Sequence, residues 1–253
     1  MPDTNQVFLL GGYDLEMLTI KQMLEGRRGC VVVDKHLRWD NAKLSAYKEE
    51  LKLLSNNDIF GIELQEDIPI PINYHRIDHH NDYSERPATI LQVAEIIGIT
   101  PDRHIQLVAA NDAGYIPAMK TLNANDSEIA EIRRQDRVAQ GVTEEDELLA
   151  ERSVEAHLTK LNGLLVVHAL TSRFSPICDR LFPYRRLLIY TDTEWVYYGE
   201  GKADIVTTLA GDIAMQRVYH GGGNNGYIGA VRGIYSKQKI NQFVREIKNK
   251  YGN

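Results

Sequence analysis

The chain has 253 residues, 29 of them Lys or Arg and 35 Asp or Glu, for a formal net charge of −6. That length suits one large domain or two modest ones, and 25% charged with 43% hydrophobic residues excludes a disordered chain and a coiled coil. The acidic balance argues against coating duplex nucleic acid through counterion release, although a local basic patch can still hold a short phosphorylated ligand.

No apolar run approaches the ~20 residues that cross a bilayer, and the longest, at 163–170, is interrupted by His168. The opening MPDTNQ is polar and acidic, unlike the basic start of a signal peptide. Cys30 and Cys178 lie in unrelated contexts and read as reduced thiols of a cytoplasmic protein.

Residues 6–10 (QVFLL) read as a short strand that Gly11 and Gly12 end. A mixed helical stripe over 14–24 follows, with Gly26 just beyond it, and 30–33 (CVVV) is a β-branched strand. Residues 41–54 read as helix, 58–64 (DIFGIEL) as strand and 74–77 (YHRI) as strand. Pro87 suits a first helical position. Ile90, Val93, Ala94 and Ile97 continue at i, i+3, i+4 and i+7, and Gly98 suits the C-cap. Residues 104–109 (HIQLVA) are a fifth strand-like run. Strands alternating with helices predict an α/β domain over 1–125, a parallel doubly wound sheet.

From about Asn125 the character changes. Asn125 with Glu128, and Thr143 with Asp146, are box-like helix starts. They predict a charged helical connector over 126–162, with Arg133, Arg134 and Arg137 on a solvated face. The remainder, 163–253, is richer in Tyr, Gly and strand formers (LLVVHAL, RRLLIYTD, EWVYYGE) and ends in a helix over 237–251. It reads as a smaller mixed α/β C-terminal domain.

In a parallel α/β sheet, ligands gather outside the carboxyl ends of the strands. Each predicted strand is followed there by polar chemistry: Asp14 and Glu16, then Asp34, His36 and Asp40, then Glu63, then Asp78, His79 and His80, then Asn111 and Asp112. Converging carboxylates repel unless cations neutralise them. Carboxylate plus imidazole suits Mn²⁺, Mg²⁺ or Zn²⁺ rather than a thiolate-bound metal. The plainer readings stay open. Asp14 and Glu16 suit a helix start through its dipole, Asp112 an Asx-turn, and the His79–His80 pair a hydrogen-bonded turn.

Asp78-His79-His80, with Asn111-Asp112 after the next apolar run, resembles the DHH phosphoesterase superfamily. That superfamily holds RecJ-like exonucleases, oligoribonucleases, cyclic-dinucleotide phosphodiesterases and manganese pyrophosphatases. Asp14-Leu15-Glu16 looks like its first motif, Glu63 its second, Asp78-His79-His80 its third and Asp112 its fourth. The stretch HGGGNNGYIG, carrying His220, Gly221, Gly222 and Gly223, resembles the Gly-rich loop of its DHHA1 accessory domain. Three departures stand out. Leu10 occupies the place of a usual His, and Glu16 and Glu63 replace Asp. Asp34 or His36 is a candidate substitute for the missing His.

The resemblance implies a metal-dependent phosphohydrolase with two Mn²⁺ or Mg²⁺ ions, acting on short oligonucleotides or (cyclic) dinucleotides. Asp14, Glu63 and Asp34 would hold one ion, and Glu16, His79 and Asp112 the other, with Glu63 bridging. His80 would contact the phosphoryl group and Asp78 would orient a neighbouring imidazole. Arg173, His220 and the three glycines would hold the rest of the substrate, their backbone N–H groups forming an anion nest. HGGG also occurs in esterase oxyanion loops, but no G-x-S-x-G elbow accompanies it here. A bare turn is the plainer reading of the loop, and a surface residue that of Arg173. The departures also support a nucleotide- or phosphate-binding protein that lost catalysis. The expected partner is a small phosphorylated ligand or short single strand, not duplex or membrane, and a homodimer is left open.

Overall fold

The computed structural model describes residues 6–39, 41–54 and 56–252. Asp40, and most of the polar MPDTNQ stretch, lie outside them. The chain divides into two compact units, Met1–Gly141 and Val142–Asn253.

The first unit runs β1 (Gln6–Leu10), α1 (Leu15–Leu24), β2 (Cys30–Val33), α2 (Lys48–Leu53), β3 (Asp58–Ile62), β4 (Tyr74–Ile77), α3 (Thr89–Ile96), α4 (Arg103–Thr121) and α5 (Asp126–Ala139). Among the described residues its sheet has four strands in the order β2-β1-β3-β4. All are parallel, with Val7 opposite Val31 and Ile59, and Gly61 opposite Arg76. Residues 7–10 are buried throughout, as expected of a central parallel strand covered on both faces. Val7 and Leu9 pack with Leu44, Tyr47 and Leu51, whereas Phe8 stacks on Phe60 at 4.9 Å.

The α/β class and parallel sheet are as the sequence predicts, but the fifth strand is not. Residues 104–109 lie inside α4, which Asp102 caps by accepting the Ile105 N–H at 2.9 Å. Ile105, Val108 and Ala109 repeat at i, i+3 and i+4 and are buried, so the six-residue apolar run is the inner face of a helix. The expected helix over 41–54 is also shortened to a 3₁₀ turn, Leu44–Tyr47, and α2. Its start is held extended, with Lys43 bridging Gln65 and the Leu44 N–H donating to the Gln65 carbonyl at 2.8 Å. At the end of α3, Gly98 takes φ +66° and the Ile99 N–H returns to the Ala94 carbonyl at 2.8 Å, a Schellman closure that needs the left-handed residue.

The second unit runs α6 (Glu144–His157), β5 (Leu158–Leu161), β6 (Leu164–His168), α7 (Ser175–Leu181), β7 (Arg186–Tyr190), β8 (Trp195–Gly199), α8 (Lys202–Thr208), α9 (Ala210–Ala214), β9 (Val218–Gly221), β10 (Tyr227–Ala230) and α10 (Lys237–Tyr251). Its strands lie in the order β5-β6-β7-β8-β10-β9. The β6–β7 pair is parallel and the others antiparallel. Strand alternation divides the core. Leu188, Trp195 and Tyr197 meet Ile240, Val244 and Ile247 of α10, while Leu187, Ile189 and Val196 meet Phe174, Ile177 and Ala150. Among the described residues no helix is long and apolar enough to cross a membrane.

Candidate metal centre

Because β1, β3 and β4 are parallel neighbours, their carboxyl ends open on one edge of the sheet, and the acids predicted after them meet there. Asp14 is the N-cap of α1, accepting the Met17 N–H at 2.9 Å. Glu16, in the first turn, reaches across to α3 and accepts the Ile90 N–H at 2.9 Å. Glu63 follows β3 in the left-handed region at φ +51° and accepts the Thr89 hydroxyl at 2.7 Å. The first turn of α3 thus anchors both glutamates. Gly11 lets the chain ends approach, since a Cβ there would lie 2.3 Å from the Ile62 carbonyl oxygen and 2.5 Å from that of Glu63.

Ligand atoms of Glu63, His79, His80 and Asp112 all lie within 4.8 Å of one another. His79 Nε2 stands 2.5 Å from Asp112 Oδ2, 3.6 Å from Glu63 Oε1 and 3.8 Å from Glu16 Oε2. The His79–Asp112 contact is close, yet it is not a hydrogen bond. His79 Nε2, Asp112 Oδ2 and Glu16 Oε2 are all buried without a hydrogen-bond partner. Asp14, Glu16, Glu63 and His79 are between 2% and 8% exposed.

Burial, then the charges of Asp112 and Glu63, pushes the Asp14 carboxyl up to about 7. Glu16 is driven well above the carboxylate range, first by burial and then by Asp112 and Glu63, and burial raises Glu63. Four acids this close cannot all be ionised without a counter-charge. Three unpartnered atoms aimed at one another, in an oxygen and imidazole donor set, fit a divalent cation. His80 sits at the rim, its side chain 43% exposed. Its Nδ1 is 3.2 Å from Asp78 Oδ1, and this bond to Asp78, assisted by Glu63, raises its pKa to about 9.

No family model matches the chain, and no curated protein matches it. Solved structures do. The DHH domain of a member of a family of ribosomal proteins aligns over 97% of this chain and 87% of its own, at 12% identity and TM-score 0.56. The pGpG-specific phosphodiesterase PggH from Vibrio cholerae aligns over 98% of this chain and 99% of its own, at 11% identity and TM-score 0.52. The chain has the DHH-superfamily fold.

Within that DHH fold the predicted residues separate. Asp14, Glu16, Glu63, Asp78, His79, His80 and Asp112 come together. Asp112 does so from α4, just before the helix kinks at Gly114 and Tyr115, rather than from a strand end. Asp34 does not join them. Its carboxylate pairs with Lys21 at 2.9 Å and accepts the His36 N–H at 2.7 Å, and His36 stays beside it at 3.4 Å. Leu10, at the end of β1, is 1% exposed, and its carbonyl accepts the Tyr47 hydroxyl.

The expectation for α5 is corrected. Arg133 and Arg137 are buried and only Arg134 is solvated, paired with Glu131. Arg133 Nη1 donates to Asp136 at 2.7 Å and Asn111 at 2.9 Å, and its guanidinium lies 4.6 Å from the Tyr115 ring centroid. Asp136 in turn adds to the field that raises Asp14. The signal was present in the spacing: Ile129, Ile132, Arg133, Asp136 and Arg137 share one helix face.

In the second unit Arg173 is exposed, its N–H donating to the Thr171 hydroxyl at 3.1 Å. His220 is exposed on β9. Gly222 and Gly223 take φ +70° and +62°, which only glycine adopts freely. The Gly221 and Gly223 carbonyls both accept Lys202 Nζ, the former at 2.7 Å. Sequence reasoning missed this buried lysine, which sits at the start of a short helix with no motif around it.

Proposed function

We propose that the chain is a metal-dependent phosphodiesterase of the DHH fold, acting on short oligonucleotides or (cyclic) dinucleotides. The observation that carries this reading is the convergence of Glu16, Glu63, His79 and Asp112 on one buried point with three ligand atoms unpartnered. The fold likeness to a pGpG-specific phosphodiesterase supports it.

Asp14, Glu16, Glu63, His79 and Asp112 would hold two divalent cations, Mn²⁺ or Mg²⁺. Bound there, such ions supply positive charge to a phosphoryl oxygen and lower the pKa of a water. The chain's own residues do the rest. Thr89 and the Ile90 N–H fix the two glutamates. His80, kept protonated by Asp78, offers a cationic donor to a phosphate oxygen or to the leaving group from an exposed position. The unbridged Cys30 and Cys178 fit action in a reducing cytoplasm.

His79→Ala should lower hydrolysis of pGpG by at least about a thousandfold, roughly 4 kcal/mol of barrier, followed by chromatography of the products. Full activity in chelator, or in His79→Ala, would sink the reading. One observation favours a second reading, a nucleotide-binding protein with reduced catalysis: Leu10 supplies no ligand where the family has His. Two-site Mn²⁺ uptake in a calorimeter favours the enzyme. Nucleotide binding without metal uptake favours the binding protein.

A further inference from the structure

The chain has two tryptophans, and they are used in opposite ways. Trp195 is 2% exposed and stacks on Phe243 with ring centroids 3.8 Å apart, an ordinary core residue. Trp39 is 49% exposed, in the loop that follows β2. It is not loosely attached. Its indole lies against the backbone of Gly12, where a Cβ would fall 2.4 Å from Cε2 and Cζ2. Glycine at position 12 is therefore what allows the ring to lie there.

The ring also has a chemical neighbour. Trp39 meets the His80 ring at 5.9 Å between centroids, inclined by 61°, and His80 meets His79 at 4.3 Å. Three aromatic rings thus lead from the buried acid and imidazole cluster out to a half-open indole. Hydrophobic burial does not account for an exposed indole beside a strongly polar cluster. A ligand whose phosphate sits at the cluster and whose flat apolar part extends outward does account for it. We propose that Trp39 is the stacking surface for the nucleobase of a nucleotide whose phosphate lies at Glu63, His79, His80 and Asp112. This inference rests on the proposed function and deepens it, by naming the side chain that holds the base of such a substrate. Stacking reads the presence of a ring and not its identity, so Trp39 separates nucleotides from pyrophosphate and sugar phosphates without selecting a base.

The test is equilibrium binding in Mg²⁺, followed by indole fluorescence and by calorimetry, with AMP and ribose 5-phosphate as probes. AMP should quench the fluorescence and bind more tightly than ribose 5-phosphate. In Trp39→Phe the quenching should vanish, because Trp195 is buried, while calorimetric affinity for AMP stays within about threefold. In Trp39→Ala, AMP affinity should fall roughly five- to hundredfold, the range a lost base-stacking contact gives, and ribose 5-phosphate affinity should not change. Equal affinity for the two probes, or unchanged AMP affinity in Trp39→Ala, overturns the stacking site. Calorimetric titration of the wild type with Mg²⁺ and Mn²⁺ is read separately. Metal uptake without base preference defeats the inference alone. No metal uptake defeats the functional reading, and the AMP comparison in the same buffer still decides the stacking site.

Discussion

Both units of the chain bury a sheet, and both contain buried polar atoms without a hydrogen bond, but the two sets are distributed differently. In the second unit such atoms are the Tyr235 hydroxyl, Glu194 Oε1 and Arg186 Nε, and the two charged residues each lie beside an opposite charge. Glu194 Oε1 is 3.7 Å from Arg232, and Arg186, whose Nε is unpartnered, places Nη2 3.2 Å from Glu200. In the first unit the Tyr74 hydroxyl is another such atom, but Glu16 Oε2, His79 Nε2 and Asp112 Oδ2 face one another within a ring of further acids. Scattered unpartnered atoms are the residue of packing. Convergent acid oxygens and an imidazole nitrogen are a cost that folding alone does not repay, and they mark where an external ion belongs.

The sharpest way to break that contrast is pH. In chelator, Asp14 titrates near 7 when folded against 3.8 when unfolded. Between those values the folded state keeps a proton that the unfolded chain has lost, so stability falls as pH rises from about 4 to 7 and then levels. Three pKa units correspond to at most about 4 kcal/mol, and the raised Glu16 and Glu63 act in the same direction. The Asp78–His80 pair adds a smaller, solvent-screened decline as pH rises through about 9, since His80 is raised from 6.5. Asp78, lowered by His80, contributes above its ordinary range and loses that contribution only in acid. Urea unfolding at pH 5 and pH 7 measures the first effect. Equal or greater stability at pH 7 without metal would contradict it, and Mn²⁺ should reverse the trend by taking the place of the protons.

A substitution at Glu16 tests the same idea from the other side. Glu16→Gln keeps an acceptor for the Ile90 N–H and removes a buried acid whose ionisation burial and its neighbouring acids oppose. Mn²⁺ affinity by calorimetry should drop by about a hundredfold. Meanwhile the metal-free protein should become more stable by about 1–2 kcal/mol, a rise of several degrees in Tm. A variant that loses metal affinity and stability together would mean that Glu16 is a structural residue.

Much of this was legible in the residues. The strands at 6–10, 30–33 and 74–77 match the structure, as do the caps at Asn125 and Thr143, because each rests on local pattern and capping chemistry. The order of acids along the chain placed Asp14, Glu63 and His79 at strand ends that parallel pairing then joins. What was not legible depended on the third dimension. HIQLVA is too short for its period to separate strand from helix. Asp34 looked like a ligand until Lys21, thirteen residues before it, was seen to hold it. Arg133 and Arg137 looked solvated because charge hid a helical stripe that packs inward.

The smallest expected effect lies in the second unit, at Lys202. Its ammonium donates to the Gly221 and Gly223 carbonyls and is itself depressed in pKa by burial. A charge-assisted donor to two carbonyls is favourable, but desolvating the ammonium offsets part of the gain, and the Gly223 side of the loop is open to water. Lys202→Met preserves the packed stem and removes only the donor. It should therefore cost about 1 kcal/mol in unfolding and speed amide hydrogen exchange across 221–226, while leaving Mn²⁺ uptake unchanged. Unchanged stability and unchanged exchange in this variant would mean that the two bonds to Lys202 do not hold the loop.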